Sequence, residues 1–278
     1  MYLTLKYGHT TIPFTSTKPQ EVIVKRNIRI VTTLPNSVVR KQIGKKAFDA
    51  RVEVSYNAGL ADYKAGYRLV ALCEKQMQPT FVSMNASLIE PIGNGMGSGR
   101  RLVIETAWRS LAYNTKRGAI LWREPEKDLS THTKDLLSPI LSGKADITIL
   151  NRHSLDNYPT FSKEWEVLGS KLCSDIIGVE ADYYSGPRGL SLPAAYQFLL
   201  YPTVGLGQVQ PDLHDSIFCP LLNCVQLGMK IQGVNIKFEY PTSQRDAEEN
   251  DIQTIQKRMR VMRLLYESMT SHKQHLEM

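Results

Sequence analysis

Few side chains in the 278-residue chain are spaced for covalent or metal chemistry. His214, Cys219 and Cys224 come nearest to a metal pattern, because two thiolates and an imidazole can take three corners of a tetrahedral zinc site. Their spacing is loose and no fourth ligand follows nearby, so the competing reading is buried thiols, with Cys73 and Cys173, in a reducing cytoplasmic setting. The six histidines include no H-E-x-x-H pair. Ser98, in the stretch Met96 to Gly99, lacks the full G-x-S-x-G elbow that presents a serine nucleophile. Asp212 with Asp215 and Glu248 with Glu249 are acid pairs that nothing places on a catalytic surface. No catalytic residue, metal or cofactor is assigned, and an enzyme would have to be assembled from residues distant in sequence.

Phosphate contact is the chemistry these residue types suit better. Lys and Arg number 34 against 27 Asp and Glu, giving +7, and between Lys18 and Arg51 nine basic residues face only Glu21 and Asp49. Arg40, Lys41, Lys45 and Lys46 are the dense part of that segment, read either as a solvated loop or as a polyanion-binding arm over residues 18–51. Further on, the text PIGNGMGSGRR alternates glycine through Gly93, Gly95, Gly97 and Gly99 and ends in Arg100 and Arg101. Glycine lets a backbone pass close to a phosphate, and Gly95, Gly97 and Gly99 would supply that freedom. The spacing matches neither the dinucleotide fingerprint nor a phosphate-binding P-loop.

Positioning these groups requires a mixed sheet-and-helix body. Apolar residues make up 42% and charged residues 22%, with no apolar run long enough for a membrane span. Alternation predicts strands at Glu21 to Val31, Ala50 to Tyr56, Tyr67 to Leu72, Phe81 to Ile89, Ala119 to Trp122, Ala145 to Leu150, Tyr196 to Tyr201 and Val234 to Tyr240. Helical spacing of Ile104, Trp108 and Leu111 predicts a helix over Arg101 to Arg117, ended by Gly118. A second helix is expected within Ser216 to Gln226. A third, charged one covers Asp246 to Ser268, inside a C-terminal segment 242–278. Residues 124–170 read as a variable insertion, and the whole chain as one domain.

Gly118 to Arg123, GAILWR, following Ala112, Tyr113 and Asn114, resembles the helix-to-strand segment of the backbone subunit in Csy-type CRISPR surveillance complexes. Gly205 to Pro211, GLGQVQP, is similar to that family's glycine-glutamine segment. The likeness covers about a tenth of the chain. It departs at Glu124, at Asp212 to His214, and after Cys219, which marks a diverged relative. The resemblance implies an α+β fold, a modified RRM-like (ferredoxin-like) palm with inserted finger and thumb elements. It also implies that Trp122 supports the palm, that Arg123 contacts guide RNA unless it makes a surface ion pair, and that Gln208 lies near RNA or a neighbouring subunit.

The expectation from these readings is a non-catalytic subunit that coats a CRISPR guide RNA through backbone and shape contacts. Its partners would be guide RNA, copies of itself, other surveillance-complex subunits and target nucleic acid. The alternative is an assembly protein of a phage or mobile element docked on an acidic protein.

Overall fold

The computed structural model describes residues 25–34, 37–82, 86–91, 96–113, 115, 117–125, 127–201, 214–240 and most of 242–277, without the side chains at 37–47, 50, 253, 254 and 257. Among the described residues seven strands form one sheet: β1 (Ile28–Thr33), β2 (Arg68–Leu72), β3 (Ser87–Ile89), β4 (Ala119–Trp122), β5 (Ile147–Arg152), β6 (Arg188–Ser191) and β7 (Ile231–Ile236). Their spatial order is β3-β2-β1-β4-β6-β5-β7. β1 pairs in parallel with both β2 and β4, β2 with β3 and β5 with β7, whereas β6 is antiparallel to β4 and β5.

Parallel neighbours need crossovers, and helices supply them. The principal ones are α1 (Ser37–Lys64), α2 (Met96–Ala112), α3 (Thr133–Leu141), α4 (Thr160–Ile177), α5 (Leu192–Leu200), α6 (Cys219–Gln226) and α7 (Ile252–Glu277). Two apolar cores lie on opposite faces of the sheet. One joins Val31, Ile120, Trp122 and Ile149 to α2, α4, α5, α6 and α7; the other joins Ile28, Ile30, Leu69 and Leu121 to α1 and α3. A sheet covered on both faces explains why β4 is buried at all four positions and reads as a continuous apolar run.

This is a doubly wound, Rossmann-like α/β fold, and it replaces the expected RRM-like palm, whose sheet is antiparallel. Two misread segments account for the difference. Val52 and Val54 suggested a strand over Ala50 to Tyr56, but Ser55, Ala58 and Asp62 are buried at helical spacing within α1. Tyr196 to Tyr201 likewise falls largely on α5, whose apolar residues face α2. The first error hid the crossover between β1 and β2, and with it their parallel direction; the second put a strand where a covering helix lies. The expected strand at Glu21 to Val31 is β1, shifted to Ile28–Thr33; residues 1–24 lie outside the description. Phe81 belongs to a short helical turn, Gln78–Phe81, ahead of β3. The segment 124–170 runs through α3 and β5 into α4. No helix among the described residues is long and apolar enough to cross a membrane.

Candidate functional site

In an open parallel sheet the strand order reverses where two neighbouring crossovers leave on opposite faces, and a crevice opens there at the carboxyl ends. Here that place is between β1, from which the chain crosses to β2 by α1 on one face, and β4, which it reaches from β3 by α2 on the other. The two strands stay joined up to Arg123, whose backbone N–H donates to the Val31 carbonyl at 3.2 Å. The Thr32 hydroxyl donates to the Arg123 carbonyl at 2.9 Å. Beyond Thr33 and Arg123 the chains part.

Arg123 shapes the chain that leaves β4. Its guanidinium forms an ion pair with Asp62 of α1, and the two side chains are 1% and 0% exposed. The same group donates to the carbonyls of Glu124 at 3.4 Å, Pro125 at 3.2 Å and Lys127 at 2.5 Å, folding the segment back on itself. Burial pushes the Asp62 carboxyl above its ordinary range and the neighbouring guanidinium pulls it back only in part. The result is a turn that sets the Glu124 carboxylate just beyond the end of β4, against Lys127 and Gly186. There Lys127 Nζ lies 3.2 Å from Glu124 Oε2 and also donates to the Ser185 carbonyl. Gly186, at φ +95°, passes so close that a Cβ would stand 2.0 Å from Glu124 Oε2. Burial opposes the charge on Lys127, but Glu124 and Tyr158 hold its pKa above the ordinary value.

The glycine segment reaches the same edge. α2 starts at Met96, with Gly97 and Gly99 buried in its first turn. A Cβ on Gly99 would stand 2.7 Å from Leu72 Cδ2, at the end of β2, so the absence of a side chain lets the helix start close to that strand. The Arg100 guanidinium lies 5.3 Å from the Trp122 ring centre and donates to Ser216 Oγ at 3.1 Å. A helix start beside β1 and β2 presents backbone N–H groups and a positive dipole end where a phosphate can lie. Glu74, two residues beyond β2, occupies the topological position from which an acidic side chain meets a ribose hydroxyl in such folds. It accepts from Gln76 Nε2 at 2.6 Å.

On the other side of β4 the charges serve the scaffold. Arg152, ending β5, pairs with Asp182 at 2.6 Å and with Glu166, which also accepts from Arg258 of α7 at 2.9 Å. Arg188, opposite Trp122 in register, donates to the Tyr183 carbonyl at 2.8 Å and to that of Gly186; burial lowers its pKa.

Among the residues singled out from sequence, Gly97, Gly99, Arg100 and Arg101 gather at the start of α2, and Arg123 ends the adjacent β4. Arg123 is fully buried, where a surface ion pair or an RNA contact was expected. Arg40, Lys41, Lys45 and Lys46 lie on the backbone of helix α1, where a loop or arm was expected; their side chains, Gly95 and Gln208 lie outside the description. Cys73, Cys173, Cys219 and Cys224 are buried free thiols, with burial pushing Cys73 up to about 11 and the others to about 12. Among the described residues no three His, Cys, Asp or Glu side chains are grouped to hold a metal.

Sequence reasoning missed Glu74, Glu124 and Asp62. For Glu74 and Glu124 the available signal was an acid one or two residues beyond a short buried strand, and Glu124 was read only as a departure from the family pattern at the start of a variable insertion.

No family model and no curated protein matches the chain. Solved structures do align with it over most of its length. Glucosyl-3-phosphoglycerate synthase from Mycobacterium tuberculosis, in complex with Mn2+, uridine diphosphate and glucosyl-3-phosphoglycerate, is 12% identical over 92% of this chain and 86% of its own, with a TM-score of 0.46. The 4-diphosphocytidyl-2C-methyl-D-erythritol synthase from Anaerococcus prevotii is 12% identical over 79% of this chain and 94% of its own, with a TM-score of 0.44. The fold assignment itself rests on strand order and direction. A sheet of this order, with Arg123 buried against Asp62, overturns the resemblance to the CRISPR backbone subunit, which required an antiparallel palm. The guide-RNA-coating role, its guide-RNA, surveillance-subunit and target partners, and the non-catalytic reading fall with it.

Proposed function

We propose that this chain is an enzyme that binds a nucleotide-activated substrate, a nucleoside-diphosphate sugar, across the carboxyl ends of β1, β2 and β4, and transfers the activated group to an acceptor. The observation that carries this reading is the reversal of strand order between β1 and β4, with Glu124 just beyond the end of β4 and the glycine-opened start of α2 beside the end of β2. Phosphate oxygens would lie on the backbone N–H groups of α2, the ribose against Glu74, and the activated carbon toward Glu124. The buried free thiols suit a cytoplasmic setting.

The test is direct. The purified full chain is incubated with a panel of uridine, guanosine, cytidine and adenosine diphosphate sugars, with magnesium or manganese, and nucleoside diphosphate release and thermal shift are measured. At least one nucleotide series is expected to raise the melting temperature, and Glu124→Gln to suppress turnover while preserving that shift. Absence of both binding and release across the panel would overturn the proposal.

A further inference from the structure

The length of α1 places a second feature at the crevice edge. Its 28 residues span about 42 Å, whereas the six residues of β1 span about 20 Å. Asp62, near the C-terminal end of α1, is fixed to Arg123 at the end of β4. The earlier turns of the helix therefore project beyond the carboxyl edge of the sheet.

On that projecting part lies an open cavity of about 520 Å3, bordered on its other side by Met77 and Thr80 of the chain leaving β2. Phe48, Val52 and Tyr56 of α1 and Met77 form its apolar and aromatic wall. Asp49 and Glu53, one helical turn apart on the same face, are exposed at it. Among the described residues the lining contains no Lys, Arg or His, although the chain carries +7. Glu74, assigned to the ribose above, is three residues from Met77. The volume falls in the range of small-ligand sites, and the aromatic and methionine side chains of the wall offer the kind of surface on which a flat aromatic ring stacks.

Ionised carboxylates only accept hydrogen bonds. Among the four common nucleobases, guanine alone offers two adjacent donors on its Watson–Crick edge, N1–H and the N2 amino group, which match the two oxygens of one carboxylate. Uracil presents a single N–H between two carbonyl oxygens, and these would face the carboxylates unpaired. Cytosine and adenine each pair one amino group with a neighbouring acceptor nitrogen.

We infer that the cavity between α1 and the segment following β2 is the nucleobase pocket of the proposed donor site, and that Glu53, with Asp49 beside it, selects guanine. This inference rests on the proposed nucleotide site and names its substrate class as guanosine-diphosphate-activated.

Isothermal titration of the full chain with GDP, UDP, CDP and ADP tests it. GDP is expected to bind about tenfold or more tightly than UDP, the scale of a charge-assisted hydrogen-bond pair. Glu53→Gln should reduce GDP affinity to the UDP level without changing the melting temperature, because the side chain is exposed. Asp49→Asn provides a second variant should Glu53→Gln not express. UDP binding as tightly as GDP, or a GDP affinity indifferent to both substitutions, would overturn the pocket assignment and leave the nucleotide site standing. No binding of any nucleoside diphosphate would overturn both.

Discussion

Replacing Asp62 by Asn removes one charge from an ion pair that no water reaches. Asp62 and Arg123 are 0% and 1% exposed, and breaking one partner of such a pair leaves an uncompensated buried charge, at a cost of about 3–5 kcal/mol. The three backbone carbonyls that also accept from Arg123 retain part of its solvation, which places the expected loss near the lower figure, about 3 kcal/mol. With a urea dependence near ~3 kcal/mol per molar, the unfolding midpoint should fall by about 1 M. Urea titration followed by tryptophan fluorescence and far-UV circular dichroism reads this. The paired substitution of Asp62→Leu with Arg123→Met removes both buried charges but also the donor to the three carbonyls after β4, so it should recover only part of the loss. A loss below ~1 kcal/mol in Asp62→Asn, or a double variant as stable as the unsubstituted chain, would refute the assignment of this pair as the clamp of the post-β4 turn.

Two further outcomes follow from individual contacts. Gly186→Ala forces a side chain at φ +95° onto the Glu124 carboxylate; it should cost about 1–3 kcal/mol and lower turnover by displacing Glu124, and an unchanged melting temperature would contradict the packing. His272 is buried against Asn223 and Tyr201, with Asp215, which accepts from Tyr201, and His275 the charged or titratable groups acting on it. Burial, with His275 adding to it, lowers its pKa from 6.5, so the unfolded chain takes up the proton first and stability should decline as pH falls below about 6.5. His272→Gln keeps a hydrogen-bonding partner for Asn223 and should flatten that decline in thermal melts between pH 7 and 5.

Local order was readable from residues where one periodicity dominated. The four apolar residues of β4 and the stripe of Ile104, Trp108 and Leu111 on α2 announce their elements, although α2 begins five residues earlier than expected, inside the glycines. Topology was not readable, because direction depends on crossovers and α1 carries its buried Ser55, Ala58 and Asp62 in a polar background with little apolar contrast. The α1 segment from Ala50 to Tyr56 satisfied a period of two as well as a helical one. The site followed the same division. The glycines and Arg100 stood out by type and spacing, whereas Glu74 and Glu124 acquire meaning only from lying at the carboxyl ends of β2 and β4. Arg123 was chosen for its charge, but a charge in sequence does not reveal that its partner lies 61 residues away on a packed helix.

Hydrogen–deuterium exchange of the full chain with saturating GDP, with and without magnesium, tests the central claim most directly. The account predicts slowed exchange in peptides containing Thr33 and Leu34, Glu74 and Met77, Met96 to Arg100, and Arg123 and Glu124, while β7 and α7 exchange as in the free protein. Protection confined to α7 or to the amino ends of the strands, or none with any nucleoside diphosphate at saturation, would contradict a nucleotide site at the β1–β4 crevice.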